Sequence, residues 1–73
     1  MKKVDNATDD DLPRYLNEKE VSRMTGIALS TLRNDRFLRR GFPYFKVGKS
    51  VRYPLEDVVQ YMESRKIQPQ NDG

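Results

Sequence analysis

One stretch of twenty residues, 33–52, concentrates side chains that bind phosphate groups. It contains seven basic residues and one acid, so its net charge is +6, although the whole chain sums to only +3. The basic residues are Arg33, Arg36, Arg39, Arg40, Lys46, Lys49 and Arg52. Duplex DNA carries one negative charge per about 1.7 Å of its axis, so this polarised charge indicates a nucleic-acid partner.

Few groups in this chain are suited to catalysis or metal binding. There is no cysteine and no histidine, so the usual soft metal ligands and the usual neutral-pH general base are missing. Asp9, Asp10 and Asp11 are consecutive and provide no fixed geometry for a metal ion. No nucleophile–base pair or phosphate-binding loop is recognisable. We therefore expect a protein without enzymatic activity, cofactor, metal or small-molecule ligand.

Length and hydropathy predict one small domain. Residues 1–12 are read as a disordered acidic tail, and residues 68–73 as a frayed C-terminal tail. The predicted folded body, residues 13–67, holds 12 of the 14 basic residues and 6 of the 11 acids. Apolar runs are too short for a membrane span or a signal peptide, so no membrane partner and a cytoplasmic location are expected.

The first predicted helix covers residues 18–25. Asn17 and Glu20 have the spacing of a capping box, and Leu16 and Val21 that of a hydrophobic staple. Gly26 follows where a left-handed residue commonly ends a helix. Four apolar residues then have the spacing of a helix-turn-helix core: Val21, Met24, Ile27 and Leu32.

A second helix is expected from Leu29 to about Leu38. Leu32 is expected to face inward together with Phe37 or Leu38, and Asp35 is expected to pair with Arg39. The remaining surface carries residue types that hydrogen-bond to base edges and phosphates: Ser30, Thr31, Arg33, Asn34 and Arg36. A polar solvent face is the alternative interpretation of this surface.

Alternating residues after Pro43 predict a β-hairpin. A three-residue loop at 48–50 would place the apolar residues on one face and the basic residues on the other. The expected pairs are Val47 with Val51, Lys46 with Arg52, and Phe45 with Tyr53. A two-residue loop at Gly48-Lys49 would instead oppose Lys46 and Val51, mixing the two faces. The outer pair of like charges favours a phosphate partner, because opposed like charges otherwise cost stability.

The last predicted helix follows Pro54. Its apolar residues have an i, i+3, i+4, i+7 spacing: Leu55, Val58, Val59 and Met62. The acids Glu56 and Asp57 suit its positive N-terminus, and Arg65 and Lys66 suit its other end. Tyr53 and Tyr61 are expected to be packing residues.

Two segments of the chain, YLNEKEVSRMTGIALSTLRNDR and GFPYFKVGKSVRYPLEDVVQYM, resemble the excisionase-like helix-turn-helix proteins. That family is related to the DNA-binding part of MerR-type regulators and to AlpA-type prophage regulators. The resemblance covers about residues 14–66. It implies a mainly α winged helix-turn-helix fold with three helices and a two-stranded wing, in which the second helix enters the major groove. The expected linker and wing contacts to DNA are Arg39, Arg40, Lys46, Lys49, Ser50 and Arg52.

The sequence departs from the family pattern at two positions beside the turn. Ala28 stands where relatives commonly have serine, and it cannot cap the second helix, which should cost about 1 kcal/mol of local stability. Leu29 stands where relatives often carry a polar or basic residue, and it either contacts a thymine methyl group or is merely exposed.

Three functions fit these observations. The first is a sequence-specific regulator of a mobile element or prophage that binds double-stranded DNA. The second is an excisionase that bends attachment-site DNA for an integrase, and the third is a basic adaptor for an acidic protein. A body this small contacts few base pairs, so we expect a monomer that associates cooperatively with further copies on DNA.

Overall fold

The computed structural model describes residues 12–70 of the chain. Residues 1–11 of the predicted acidic tail, including the three consecutive aspartates, lie outside this range. The elements are β1 (Tyr15–Leu16), α1 (Glu18–Thr25), α2 (Leu29–Phe37), β2 (Phe45–Val47), β3 (Ser50–Pro54) and α3 (Leu55–Ser64). Three helices with an antiparallel hairpin are the winged helix-turn-helix architecture that the sequence predicted. No helix among residues 12–70 has the length and apolar character needed to cross a membrane.

Both ends of α1 lie where the capping signals predicted. The Asn17 side chain accepts a 2.8 Å hydrogen bond from the Glu20 amide, and the Glu20 carboxylate accepts one of 2.8 Å from the Asn17 amide. Two otherwise unpaired amides are thus satisfied at the helix start. At the other end Gly26 has φ +77°, and its amide donates to the Ser22 carbonyl at 2.8 Å.

Side-chain hydrogen bonds hold the turn between α1 and α2. The Ser22 hydroxyl donates to the Ile27 carbonyl at 2.7 Å. The Thr25 hydroxyl donates to the Val21 carbonyl at 2.7 Å and accepts from the Ile27 amide at 3.2 Å. Because these bonds cross the turn, they fix the direction in which α2 leaves α1.

The sheet has three strands in the order β1–β3–β2, one more than the sequence predicted. In β1, Leu16 is opposite Tyr53 and Tyr15 is opposite Pro54. A strand of two residues is too short to show alternation, so it was not recognisable in the sequence. It makes β3 the central strand and ties the segment before α1 to the wing.

The predicted hairpin register is wrong, and the rejected two-residue loop is the one present. The pairs are Phe45 with Arg52, Lys46 with Val51, and Val47 with Ser50. Gly48 has φ +61° and Lys49 does not have a positive φ, the pattern of a type II′ turn, whose twist suits a two-residue hairpin. The expectation failed because it assumed that β2 buries its apolar residues.

All of β2 is exposed, so its hydrophobic residues do not select the register. Phe45 and Val47 lie on the same outer face as Arg52, and Val47 is 69% exposed. Tyr53 is buried and Val51 packs against the core from the inner face. Lys46, opposite Val51, is therefore on the other face of the hairpin from Arg52, contrary to the expected basic outer pair.

The core is small and draws one buried residue from each of the six segments that surround it. Its buried members are Leu16, Val21, Leu32, Phe42, Tyr53 and Val58. Phe37 is 80% exposed and Leu38 is also exposed, so the expectation that one of them supports Leu32 is wrong. Phe42 lies in the core instead, with its ring centroid 4.6 Å from that of Tyr61. Met24, predicted as a core residue, is exposed as well.

Only part of the predicted apolar stripe of α3 is buried. Val58 is fully buried, and Leu55 and Tyr61 pack against the core, as expected for residues three apart on one face. Val59 and Met62 are exposed, which contradicts their predicted role. The stripe is displaced by about one residue because the Tyr61 ring, rather than Met62, packs on Phe42.

The segment after α2 reverses direction at Arg39, which has φ +58°. The Arg40 amide then donates to the Asp35 carbonyl at 2.9 Å, and the Arg40 side chain forms an ion pair with the Asp35 carboxylate at 3.1 Å. The predicted partner of Asp35 was Arg39, at the regular helical spacing. That prediction is wrong because the helix has already ended at Phe37.

Candidate nucleic-acid interface

Three residues of α2 face the protein. Leu32 is buried in the core, and Leu29 packs against its edge. Leu29 is thus partly buried, so the expectation that it is merely exposed is wrong. Arg36 lies on the same side of the helix, and its side chain is only 20% exposed.

The opposite side of α2 is open to solvent along its length. Ser30, Thr31 and Asn34 are exposed, as the sequence predicted for a recognition surface. Ser30, Asn34 and Phe37 have the i, i+4, i+7 spacing of a single stripe. The exposed Phe37 ring therefore adds an apolar group to this polar stripe. The sequence predicted that Phe37 or Leu38 would support the core, because no local signal distinguishes Phe37 from Phe42.

The two arginines predicted for DNA readout share one carboxylate. Arg33 donates to Glu18 from Nε at 3.1 and 3.2 Å and from Nη2 at 2.6 Å. Arg36 donates from Nη2 to the same carboxylate at 3.2 Å. Glu18 is the first residue of α1, so these bonds join the start of the first helix to the middle of the second. The sequence contained no signal for this pairing, since 15 and 18 residues separate the partners.

Arg36 also contacts the wing. Its Nη1 donates to the hydroxyl of Tyr53 at 2.6 Å, and Tyr53 is the buried residue of the central strand. Burial alone would lower the pKa of Arg36, but the Tyr53 hydroxyl and the Glu18 carboxylate outweigh it and raise the pKa. Arg36 thereby links α1, α2 and β3, and it is the least exposed arginine of the α2 surface.

Glu18 is held in its charged form by this arrangement. The hydrogen bond from Arg33 lowers the pKa of Glu18 below its ordinary value of 4.5, burial opposes that effect, and Arg36 adds to the lowering. The same contact raises the pKa of Arg33. Charge-assisted bonds of two donors to one carboxylate are geometrically specific, so the Arg33 guanidinium has a defined orientation.

A groove of about 440 Å³ separates the start of α1 from the tip of the wing. Glu18 and Lys19 line one side, Lys49, Ser50 and Arg52 line the other, and Arg36, which pairs with Glu18, lies between them. Within residues 12–70, Lys19, Lys49 and Arg52 form no ion pair with a carboxylate. Three unneutralised cations around a concave surface attract an anion.

Sequence reasoning did not include Lys19 among the candidate site residues. It is one of several charged residues in the first turn of α1, and only the packing of that helix against the wing brings it to the groove. The remaining candidates lie elsewhere. Lys46 is exposed on the inner face of the hairpin, and Arg39 and Arg40 line a separate shallow surface with Tyr44.

The family model described as a helix-turn-helix domain matches residues 15–66, which is more than half of the chain. The match begins in β1 and ends just beyond α3, so it includes the turn, α2, the wing and the groove. No curated protein and no solved structure matches the chain.

Proposed function

This chain belongs to the helix-turn-helix domain family, and we propose that it binds double-stranded DNA in a sequence-specific manner. In this proposal α2 enters the major groove, which is wide enough to admit a helix. The wing then contacts the adjacent minor groove or backbone. The observation that carries the proposal is the combination of an open polar stripe on α2 with a cation-lined groove beside it.

The exposed side of α2 supplies the proposed base contacts. Ser30, Thr31 and Asn34 have hydroxyl and amide groups that bond to base edges, and Arg33 has a guanidinium suited to guanine. Phe37 adds an apolar surface of the kind that contacts a thymine methyl group. In this proposal Arg36 holds α1, α2 and the wing together and does not contact bases, because its side chain is only 20% exposed and bonds to both Tyr53 and Glu18.

The groove and wing supply the proposed backbone contacts. Lys49, Ser50 and Arg52 line the groove and can bond to phosphate oxygens. Arg39, Arg40 and Lys46 lie outside the groove, so in this proposal they contact flanking phosphates. Phosphate contacts set the orientation and register of the protein, whereas the contacts from α2 select the sequence.

At the cellular level, we propose a small transcriptional regulator of a mobile element or prophage. The resemblance to excisionase-like proteins keeps an excisionase that acts with an integrase as the second candidate. Both would make the same contacts to DNA. Loss of integrase-dependent excision when the gene is deleted would identify the excisionase, and altered transcription of a neighbouring gene with normal excision would identify the regulator.

Titration of the protein with duplex DNA at increasing salt tests DNA binding itself. Each phosphate neutralised contributes about −0.9 to the slope of log K against log salt, so several contacts give a steep fall. No binding at low salt, or a response to salt that is flat, would refute the proposal. A basic adaptor for an acidic protein is expected to bind its protein partner and to show no binding to duplex DNA at physiological salt.

Alanine substitutions separate the two kinds of contact. We expect Arg33→Ala to weaken binding to a selected site more than to random duplex, and Lys49→Ala to weaken both about equally and to reduce the salt slope by about 1. Lys66→Ala is a matched control, because Lys66 lies beyond α3 and pairs with Glu63. Reversed results for Arg33 and Lys49 would show that the proposed roles are interchanged.

A further inference from the structure

The hydrogen bonds between Arg33 and Glu18 use only one edge of the guanidinium group. Arginine has five N–H donors, one on Nε and two on each Nη. Glu18 receives bonds from Nε and Nη2, which together form the side edge of the group. The end edge consists of one Nη1 donor and the second Nη2 donor, while the other Nη1 donor points toward the side-chain stem. In residues 12–70 that edge has no hydrogen-bond partner, and the Arg33 side chain is 55% exposed.

The donors left over match one particular base. Guanine presents two acceptors, O6 and N7, to the major groove, and a guanidinium can bond to both at once. Two donors from Nη1 and Nη2 have the parallel geometry that such a pair of acceptors requires. Lysine in place of Arg33 would have no such planar pair of donors.

We propose that Glu18 is a positioning residue that holds Arg33 by its side edge and presents the end of the guanidinium to a guanine. The inference rests on the proposed function, and it adds that the selected site contains a guanine whose recognition depends on Glu18. The carboxylate acts before DNA arrives, because a side chain already held in its bound orientation loses less freedom on binding.

Glu18 has a second effect that also favours discrimination. A carboxylate beside the α2 surface repels the phosphate backbone of every duplex, whatever its sequence. It therefore lowers the affinity for random DNA while supporting the guanine contact. Specificity is the difference between these two affinities, so both effects act in the same direction.

The test begins with selection of a bound site from a random duplex pool by the wild-type protein. Affinities are then measured for the selected duplex, for a copy in which the guanine is replaced by 7-deazaguanine, which lacks N7, and for random duplex. For the wild-type protein we expect the replacement to weaken binding, with the roughly 5- to 150-fold value of a complete bidentate base contact as the upper limit because O6 remains. In Arg33→Ala the replacement should have no effect.

Glu18→Gln should lose most of this guanine discrimination while its affinity for random duplex does not fall. Glu20→Gln is the matched control, since it removes the same charge from the same turn and its amide oxygen can still accept from Asn17. We expect it to keep the wild-type discrimination. Full discrimination in Glu18→Gln would overturn the proposal, and so would a parallel loss on both duplexes, which would indicate a role in folding alone.

A measurement on the wild-type protein avoids any dependence on the stability of a variant. The NMR signal of the Arg33 Nε–H group, assigned by its loss in Arg33→Lys, should have the same shift and the same protection from exchange in the free and DNA-bound protein. A signal that becomes solvent-exchanging on binding would mean that Glu18 releases Arg33, and would overturn the proposal. If the protein binds duplex but selects no guanine that depends on Arg33, this inference fails while DNA binding stands. Absence of any duplex binding removes both.

Discussion

Replacing Ala28 by serine should stabilise the protein, because the start of α2 lacks a side-chain cap. Ala28 has φ −61° and ψ 144°, the extended geometry of an N-cap residue, and makes no capping hydrogen bond through its side chain. Its carbonyl already accepts from the Thr31 and Leu32 amides at 3.0 and 3.1 Å, so the backbone is in place. A serine hydroxyl there can accept from the second or third amide of the helix.

The expected gain is about 1 kcal/mol, the typical difference between alanine and serine at an N-cap. The entropy of unfolding is about 2.1 cal/mol/K per residue, so for a folded body of roughly 55 residues this gain raises Tm by about 8 °C. Thermal and urea unfolding followed by circular dichroism measure both quantities. The urea midpoint should rise without a change in the m-value.

Asn17→Ala gives the comparison in the opposite direction, because it removes the cap that α1 does have. It should lower the free energy of unfolding by about 1 kcal/mol. If Asn17→Ala destabilises the protein and Ala28→Ser leaves Tm unchanged, the reasoning about the start of α2 is refuted. In that case a water or neighbouring group must already satisfy the first amides of the helix.

Two further predictions concern the network around Glu18. Tyr53→Phe should reduce the free energy of unfolding by about 1.5–3 kcal/mol, since it removes an acceptor from a partly buried arginine, and urea unfolding measures the loss. Tyr44→Phe is the control, because the Tyr44 hydroxyl makes no hydrogen bond within residues 12–70, and an equal loss in both variants would contradict the assignment. Because the pKa of Glu18 is lowered by folding, its contribution is present above its ordinary pKa of 4.5 and is lost as pH falls through the lower folded value. Stability should therefore decline less steeply below pH 4.5 in Glu18→Gln than in wild type, and identical pH profiles of urea unfolding would refute the role of the ion pair.

Capping and turn signals predicted α1 to the residue because they act within one or two turns of the chain. Asn17, Glu20 and Gly26 are close in sequence to the backbone groups that they satisfy, so their effect does not depend on the rest of the fold. The start of α2 and the inward position of Leu32 were predictable from the apolar spacing around the turn. The concentration of positive charge in residues 33–52 was also evident from the sequence.

Other features depend on which surfaces the remaining chain covers. Apolar spacing alone did not predict that Phe42, rather than Phe37, is a core residue. It also did not predict the two-residue loop in the wing. Phe37 and Phe42 are both aromatic and close to the end of α2, and they are distinguished by the tertiary packing of Phe42 against Tyr53 and Tyr61. In β2 the assumption of a buried face was reasonable for a strand, but all three of its residues are exposed even though the Tyr15 ring lies 5.9 Å from that of Phe45.

The sequence by itself determined the helices, the cap of α1, the turn between α1 and α2 and the net positive charge, since each follows from residues near one another in the chain. The tertiary structure decided which arginine side chains bond to Glu18 and which of their N–H donors remain exposed. Glu18 is 15 residues from Arg33 and is brought to it only by the packing of α1 on α2. A carboxylate and a guanidinium attract at any separation, but which pair meets in a hydrogen-bonded geometry depends on the backbone that carries them.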